Sequence, residues 1–190
     1  RSRDESRRSM STESKGGSGS AGTTPAMVED LLLTDAFLIK GRVAGKYHRL
    51  KKVLEDFDRS FVTVEDAVMV SLRGNDVVRT PRVQINVKEI ILAHELVDMA
   101  GDDVQRHLAQ DDKSVRIRAF YNGAIQIEIA GRVSPQAYEP ARGAGTKYFT
   151  MRDPVIRGLN LDGPNDLRLL KGLGYAIVQK NKLSYIYDFS

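Results

Sequence analysis

The sequence contains no cysteine, no tryptophan and only three histidines. The missing cysteine excludes disulfide scaffolds, thiolate zinc sites and cysteine nucleophiles. With so little histidine as well, general acid–base and metal chemistry have little raw material, so a non-enzymatic protein with no cofactor is expected. No apolar run approaches the roughly 18 to 20 residues of a membrane-spanning helix, and no membrane association is expected. No apolar core follows the basic pair Arg7-Arg8, as a secretory signal would require. That absence and the lack of cysteine point to the cytoplasm.

What is present is the composition of a globular protein: 190 residues, 41% hydrophobic, 28% charged and a formal charge of +4. Residues 1–26 differ, being rich in Ser, Gly, Thr and Arg, and are read as a disordered tail.

The remainder carries an internal repetition. Gly41-Arg42-Val43 recurs as Gly131-Arg132-Val133, 90 positions later, each after a strand-like run. Phe61 to Met69 parallels Tyr148 to Ile156 at an offset of 87, with Thr, Asp and Val identical at matched places. Asn75-Asp76 matches Asn165-Asp166, and Ile90 to Leu96 parallels Leu183 to Phe189 at an offset of 93. Four blocks in one order imply two copies of a fold of about 70 residues. The expected organisation is a first unit over 27–98, a linker with a short helix over 99–113, and a second unit over 114–190.

Within the first copy, strand signals lie at Ala36–Lys40, Phe61–Val64, Val68–Leu72, Val77-Val78, Val83–Val87 and Ile90–Leu96. Glu65-Asp66, between two strand signals, suggests a bulge or bend, and Lys88-Glu89 a break. Tyr47, Leu50, Val53, Leu54 and Phe57 fall at helical spacing, with Lys51–Glu55 and Lys52–Asp56 as i,i+4 charge pairs, predicting an amphipathic helix of about three turns. The matching stretch, Ser134 to Lys147, holds two prolines and two glycines and reads as a loop. The expected fold is mainly β: two tandem five-stranded antiparallel barrels, with one helix in the first.

The order of elements resembles the Sm-like family of small barrels, and uncharacterised bacterial proteins built from them. A glycine in a bent strand (Gly41) is followed by an acidic residue (Asp58), a strand pair from Phe61, a polar hairpin and a final pair of apolar strands. The resemblance implies a fold of small five-stranded barrels. It does not carry over the family's RNA-binding residues: Arg59-Ser60 follows Asp58, and Arg73-Gly74 lies in an earlier hairpin.

Candidate sites are few. His94, Glu95, Asp98, Asp102, Asp103 and His107 are close in sequence, but His94 lies in a strand signal and its counterpart is Tyr187, which favours packing over metal binding. Gly172-Leu173-Gly174 precedes a strand instead of following one, the wrong order for a phosphate loop. Charge is more informative. Residues 27–112 hold 12 Lys+Arg against 16 Asp+Glu, and residues 113–190 hold 12 against 6. In Val115–Tyr121, alternation places Arg116, Arg118 and Phe120 on one face. With the loop residues Arg142 and Lys147 they could form a stacking platform for nucleic acid, or simply the solvated face of an outer strand.

Two functions are therefore expected. One is a protein-interaction or assembly module, with a protein partner or self-association through strand edges. The alternative is binding of RNA or single-stranded nucleic acid by the basic second half.

Overall fold

The computed structural model describes residues 29–56, 58–74, 76–96, 113–139, 146–163 and 165–189. The tail, the linker helix expected near Asp103–Gln110, and Arg142 lie outside the described residues.

The strands in chain order are β1 (Glu29–Leu33), β2 (Phe37–Val43), β3 (Phe61–Ser71), β4 (Val77–Asn86) and β5 (Leu92–Leu96), then β6 (Val115–Asn122), β7 (Gln126–Val133), β8 (Tyr148–Arg157), β9 (Tyr175–Gln179) and β10 (Tyr185–Asp188). One short helix, α1 (Leu50–Glu55), lies between β2 and β3. All strand pairs are antiparallel and belong to one sheet, ordered β10-β6-β7-β8-β9-β5-β1-β2-β3-β4. The mainly-β expectation holds. The pairing does not close, however, so the ten strands make one open sheet instead of two separate closed barrels.

The order nonetheless reads twice, as β10-β6-β7-β8-β9 and β5-β1-β2-β3-β4. Registers agree residue for residue. Leu33 stands opposite Leu92 and Leu38, and Phe120, 87 positions later, stands opposite Tyr185 and Glu128. Ile91 N–H donates to Leu33 O at 2.8 Å, and its counterpart Ser184 N–H donates to Phe120 O at 2.7 Å. The two Gly-Arg-Val triplets occupy equivalent surroundings. Each sits at a register shift, after Lys40 and after Ala130, and each faces an aspartate of positive φ, Asp66 (51°) and Asp153 (48°). Glycine is required there: a Cβ on Gly41 would lie 2.7 Å from Glu65 O, and one on Gly131 2.7 Å from Arg152 O. Glu65-Asp66 is thus a bulge inside one long strand and not a break between two.

β1 is the strand whose sequence signal was least visible. Leu31, Leu32 and Leu33 are all fully buried, because one face packs into each of two cores. Leu32 joins Ile39, Val62, Val64 and Ile90 under the helix residues Leu50, Val53 and Leu54. Leu31 and Leu33 face the other way, onto a core with Ile117, Ile129, Phe149 and Met151. Those residues come from strands several places away in the sheet order, so the sheet curls on itself there.

The helix is shorter than predicted. It covers six residues, Tyr47 is 91% exposed, and Phe57 lies outside the described residues. Arg49 and Asp56 adopt extended backbone at its ends, and the Arg49 side chain makes no capping hydrogen bond. What fixes it is a buried ion cluster. Glu95 accepts from Leu50 N–H at 2.6 Å and pairs with Arg49 Nε at 2.7 Å, while Lys46 Nζ lies 2.6 Å from Asp30 and 3.2 Å from Glu95. Glu55 accepts from the N–H groups of Lys147 and Tyr148, tying the helix to the start of β8. Among the described residues, no helix is long and apolar enough to cross a membrane.

Candidate functional site

β6 alternates as its sequence predicts: Ile117, Ala119 and Tyr121 are buried, and Arg116, Arg118 and Phe120 project from the opposite face. Cross-strand neighbours share a face, so the registers define what surrounds them. Arg116 stands opposite Arg132 on β7, and Arg132 opposite Arg152 on β8. Arg118 stands opposite Ala130 and then Val155, and Phe120 opposite Glu128 and then Arg157. On the other side of β6, Tyr185 and Tyr187 of β10 face Phe120 and Arg118, and Phe189 N–H donates to Arg116 O at 3.0 Å.

The result is a groove of about 660 Å³ lined by Arg116, Arg118, Ala130, Val155, Arg157 and Phe189. Glu128 is the carboxylate shared by two of these arginines. It bonds Arg118 at 2.7 Å and Arg157 at 2.8 Å, and the Arg118 hydrogen bond leads in holding its carboxyl below the usual range. The Arg118 guanidinium lies 5.7 Å from the Phe120 ring centroid, and Phe120 meets Tyr187 edge-on at 5.6 Å. Among the described residues Arg116 and Arg132 have no carboxylate partner, although they face one another directly.

Of the residues picked from sequence, the structure brings together Arg116, Arg118 and Phe120. Lys147 is elsewhere: it precedes β8, eight residues before Val155 and roughly 25 Å from it along an extended strand. Sequence reasoning missed Arg132, Arg152, Arg157, Tyr187 and Phe189. A signal for the first two existed, because aligning the triplets puts Arg152 where the first half has Glu65.

The His94–Glu95 cluster resolves as packing. The His94 ring lies 4.6 Å from that of Tyr175, and its Nδ1 is 2.8 Å from Tyr175 O. Glu95 points the other way, into the ion cluster under α1. Asp98 to His107 lie outside the described residues, and among the described ones no group of three or more His, Asp or Glu could hold a metal.

Comparison with protein-family models, with curated proteins and with solved structures finds no match to this chain.

Proposed function

We propose that this protein is a non-enzymatic assembly module: two diverged Sm-like units joined by strand addition, with edges on which further copies continue the same joint. The observation that carries this reading is the seam between β9 and β5. There Leu92 pairs with Val178 and Ala93 with Ile177, and Gln179 N–H donates to Ile91 O at 3.0 Å. By register, β9 corresponds to β4 and β5 to β10. Those two counterparts are the two ends of the sheet among the described residues. A second copy's β10 added to β4 would place Tyr185 opposite Ile85 and Ile186 opposite Gln84, repeating the seam.

Exposed apolar residues support the same joint. Tyr148 is fully buried at the seam, while its counterpart Phe61 is 52% exposed. Leu92 and His94 are buried, while their counterparts Tyr185 and Tyr187 are 60% and 59% exposed. Tyr175, which stacks on His94, corresponds to Arg82, so the second-copy joint would set a tyrosine against a guanidinium, a favourable exchange. β4 itself carries Arg79 and Arg82 and no acid, while β10 carries Asp188, which favours head-to-tail over head-to-head contact. The cysteine-free sequence suits a reducing compartment, and we place the module in the cytoplasm.

Sedimentation of the full chain over a range of concentration and salt tests the reading. Species heavier than the 21.1 kDa monomer are expected, dissociating with salt and in Phe61→Glu and Tyr185→Glu. A monomer under every condition contradicts it.

A further inference from the structure

The two halves differ in what covers one face of their strands. In the first half that face carries Leu31 and Leu33 of β1, Leu38 of β2 and Val70 of β3, all buried. Part of their cover is the single turn Asn165–Leu170 in the connection between β8 and β9, which packs against β2. Its Leu167 and Leu170 share the leucines' core, and Asp166 lies 3.9 Å from Lys40 Nζ. Equivalent registers put Arg118, Phe120, Glu128 and Arg157 where the second half would carry those apolar residues. Lys40 and Val68 become Ala130 and Val155, again directly opposite one another. The cover has no counterpart. The β3–β4 connection is residues 72–76, against residues 158–174 between β8 and β9, so a second copy added at β10 brings no such turn. Val68 packs against the core, whereas Val155 is 49% exposed on the floor of the groove of about 660 Å³.

We infer that this groove docks a short segment of a partner protein that carries leucine-like side chains flanked by carboxylates, an inference independent of the assembly reading because it uses a strand face and not a strand edge. The molecule supplies the precedent on the equivalent face of its first half: a leucine-bearing turn with an aspartate beside a lysine. Charge sets the difference between the two occupants. Arg118 and Arg157 stand where the first half has Leu31 and Val70, and they share the single carboxylate of Glu128. Arg116, at the other end of the groove, has no carboxylate partner among the described residues. Three guanidiniums against one carboxylate call for an acidic occupant, and their planar forks take carboxylates in pairs. Between them the small side chain of Ala130 leaves room above Val155 for an apolar group. A polynucleotide would use the cations and leave that floor bare.

The test is fluorescence anisotropy of a labelled peptide with the sequence of residues 163–172, made acidic by Arg168→Glu and Lys171→Glu. The chain's own turn already occupies the first half's face, so the free peptide meets only the open one. Saturable binding to the full chain is expected at low salt, weakening as salt rises. Arg116→Glu in the protein should weaken it about tenfold, as charge reversal beside a desolvated carboxylate does. Val155→Ser should weaken it about threefold through lost apolar contact. Both residues project from the strand face, so the thermal midpoint should stay within a few degrees of the parent. A peptide with serine at the Leu167 and Leu170 positions should not bind, and oligouridylate or polyglutamate should compete poorly. No binding at low salt, full affinity in Arg116→Glu, binding that survives loss of both leucines, or equal competition by either polyanion would each overturn the inference. Phe61→Glu, which breaks the assembly joint, should leave peptide binding unchanged, so the two readings fail separately.

Discussion

Replacing Lys46 by methionine removes the one ammonium that touches both buried carboxylates of the helix anchor. Lys46 Nζ lies 2.6 Å from Asp30 Oδ1 and 3.2 Å from Glu95 Oε1, and those side chains are essentially inaccessible to solvent. Breaking a buried pair by deleting one partner costs about 3–5 kcal/mol, because the remaining charge stays desolvated. Glu95 keeps Arg49 at 2.7 Å and the Leu50 N–H at 2.6 Å, whereas among the described residues Asp30 keeps only the Val43 N–H at 3.0 Å. The lower end, about 3 kcal/mol, is therefore expected at neutral pH. Burial already raises the Asp30 carboxyl above its ordinary value, and Lys46 opposes that rise. A carboxyl raised in the folded state binds protons more tightly there than when unfolded. Its ionisation thus costs stability as pH climbs from about 3.8 through the raised value. Without Lys46 the rise is larger, so the penalty shrinks in acid, where Asp30 is protonated. Urea denaturation of both proteins at pH 7 and pH 4.5 measures this. A loss below about 1 kcal/mol, or the same loss at both pH values, would refute the reasoning, and Asp30→Asn should rescue Lys46→Met.

Other consequences are smaller. Gly41→Ala and Gly131→Ala should each cost about 1–3 kcal/mol by overpacking, since each new Cβ meets a side chain at 2.6 Å and a carbonyl at 2.7 Å. Chemical denaturation should give similar losses at the two sites, and a large disparity would contradict their equivalence. Glu128→Gln removes the carboxylate charge that Arg118 and Arg157 share. Because Arg118 chiefly holds the Glu128 carboxyl low, its contribution to stability is present above about pH 4.5 and is lost as pH falls through the lowered value. The Gln variant should lack that part of the acid limb.

The sequence made local features legible and long-range ones much less so. Alternation in β6 gave the correct face for Arg116, Arg118 and Phe120, because a half-exposed strand writes its orientation into every second residue. The bulge at Glu65-Asp66 and the break at Lys88-Glu89 were visible for the same reason. β1 was not, since Asp30 to Leu33 is buried on both sides and shows no period. The helix was overextended because Tyr47 continues the apolar spacing yet packs against nothing that buries it. Arg157 and Phe189 reach the groove only through pairings with β7 and β6, contacts that no local pattern records. Closure failed to be legible likewise: whether β5 pairs with its own unit or the next is decided by which edge meets it. Here β5 pairs with both β1 and β9.

The central claim is that the β9–β5 seam is repeated between chains. A chain without cysteine permits a direct test, with thiols introduced at Gln84→Cys in one preparation and Ile186→Cys in another. Directly opposed residues in an antiparallel pair have Cα atoms roughly 5.5 Å apart, within the range a disulfide spans. Mixing the two and oxidising should give a covalent heterodimer, and a chain carrying both changes should give a ladder of oligomers, each abolished by Phe61→Glu. Only monomer on a non-reducing gel, or cross-linking that Phe61→Glu leaves intact, would contradict the claim.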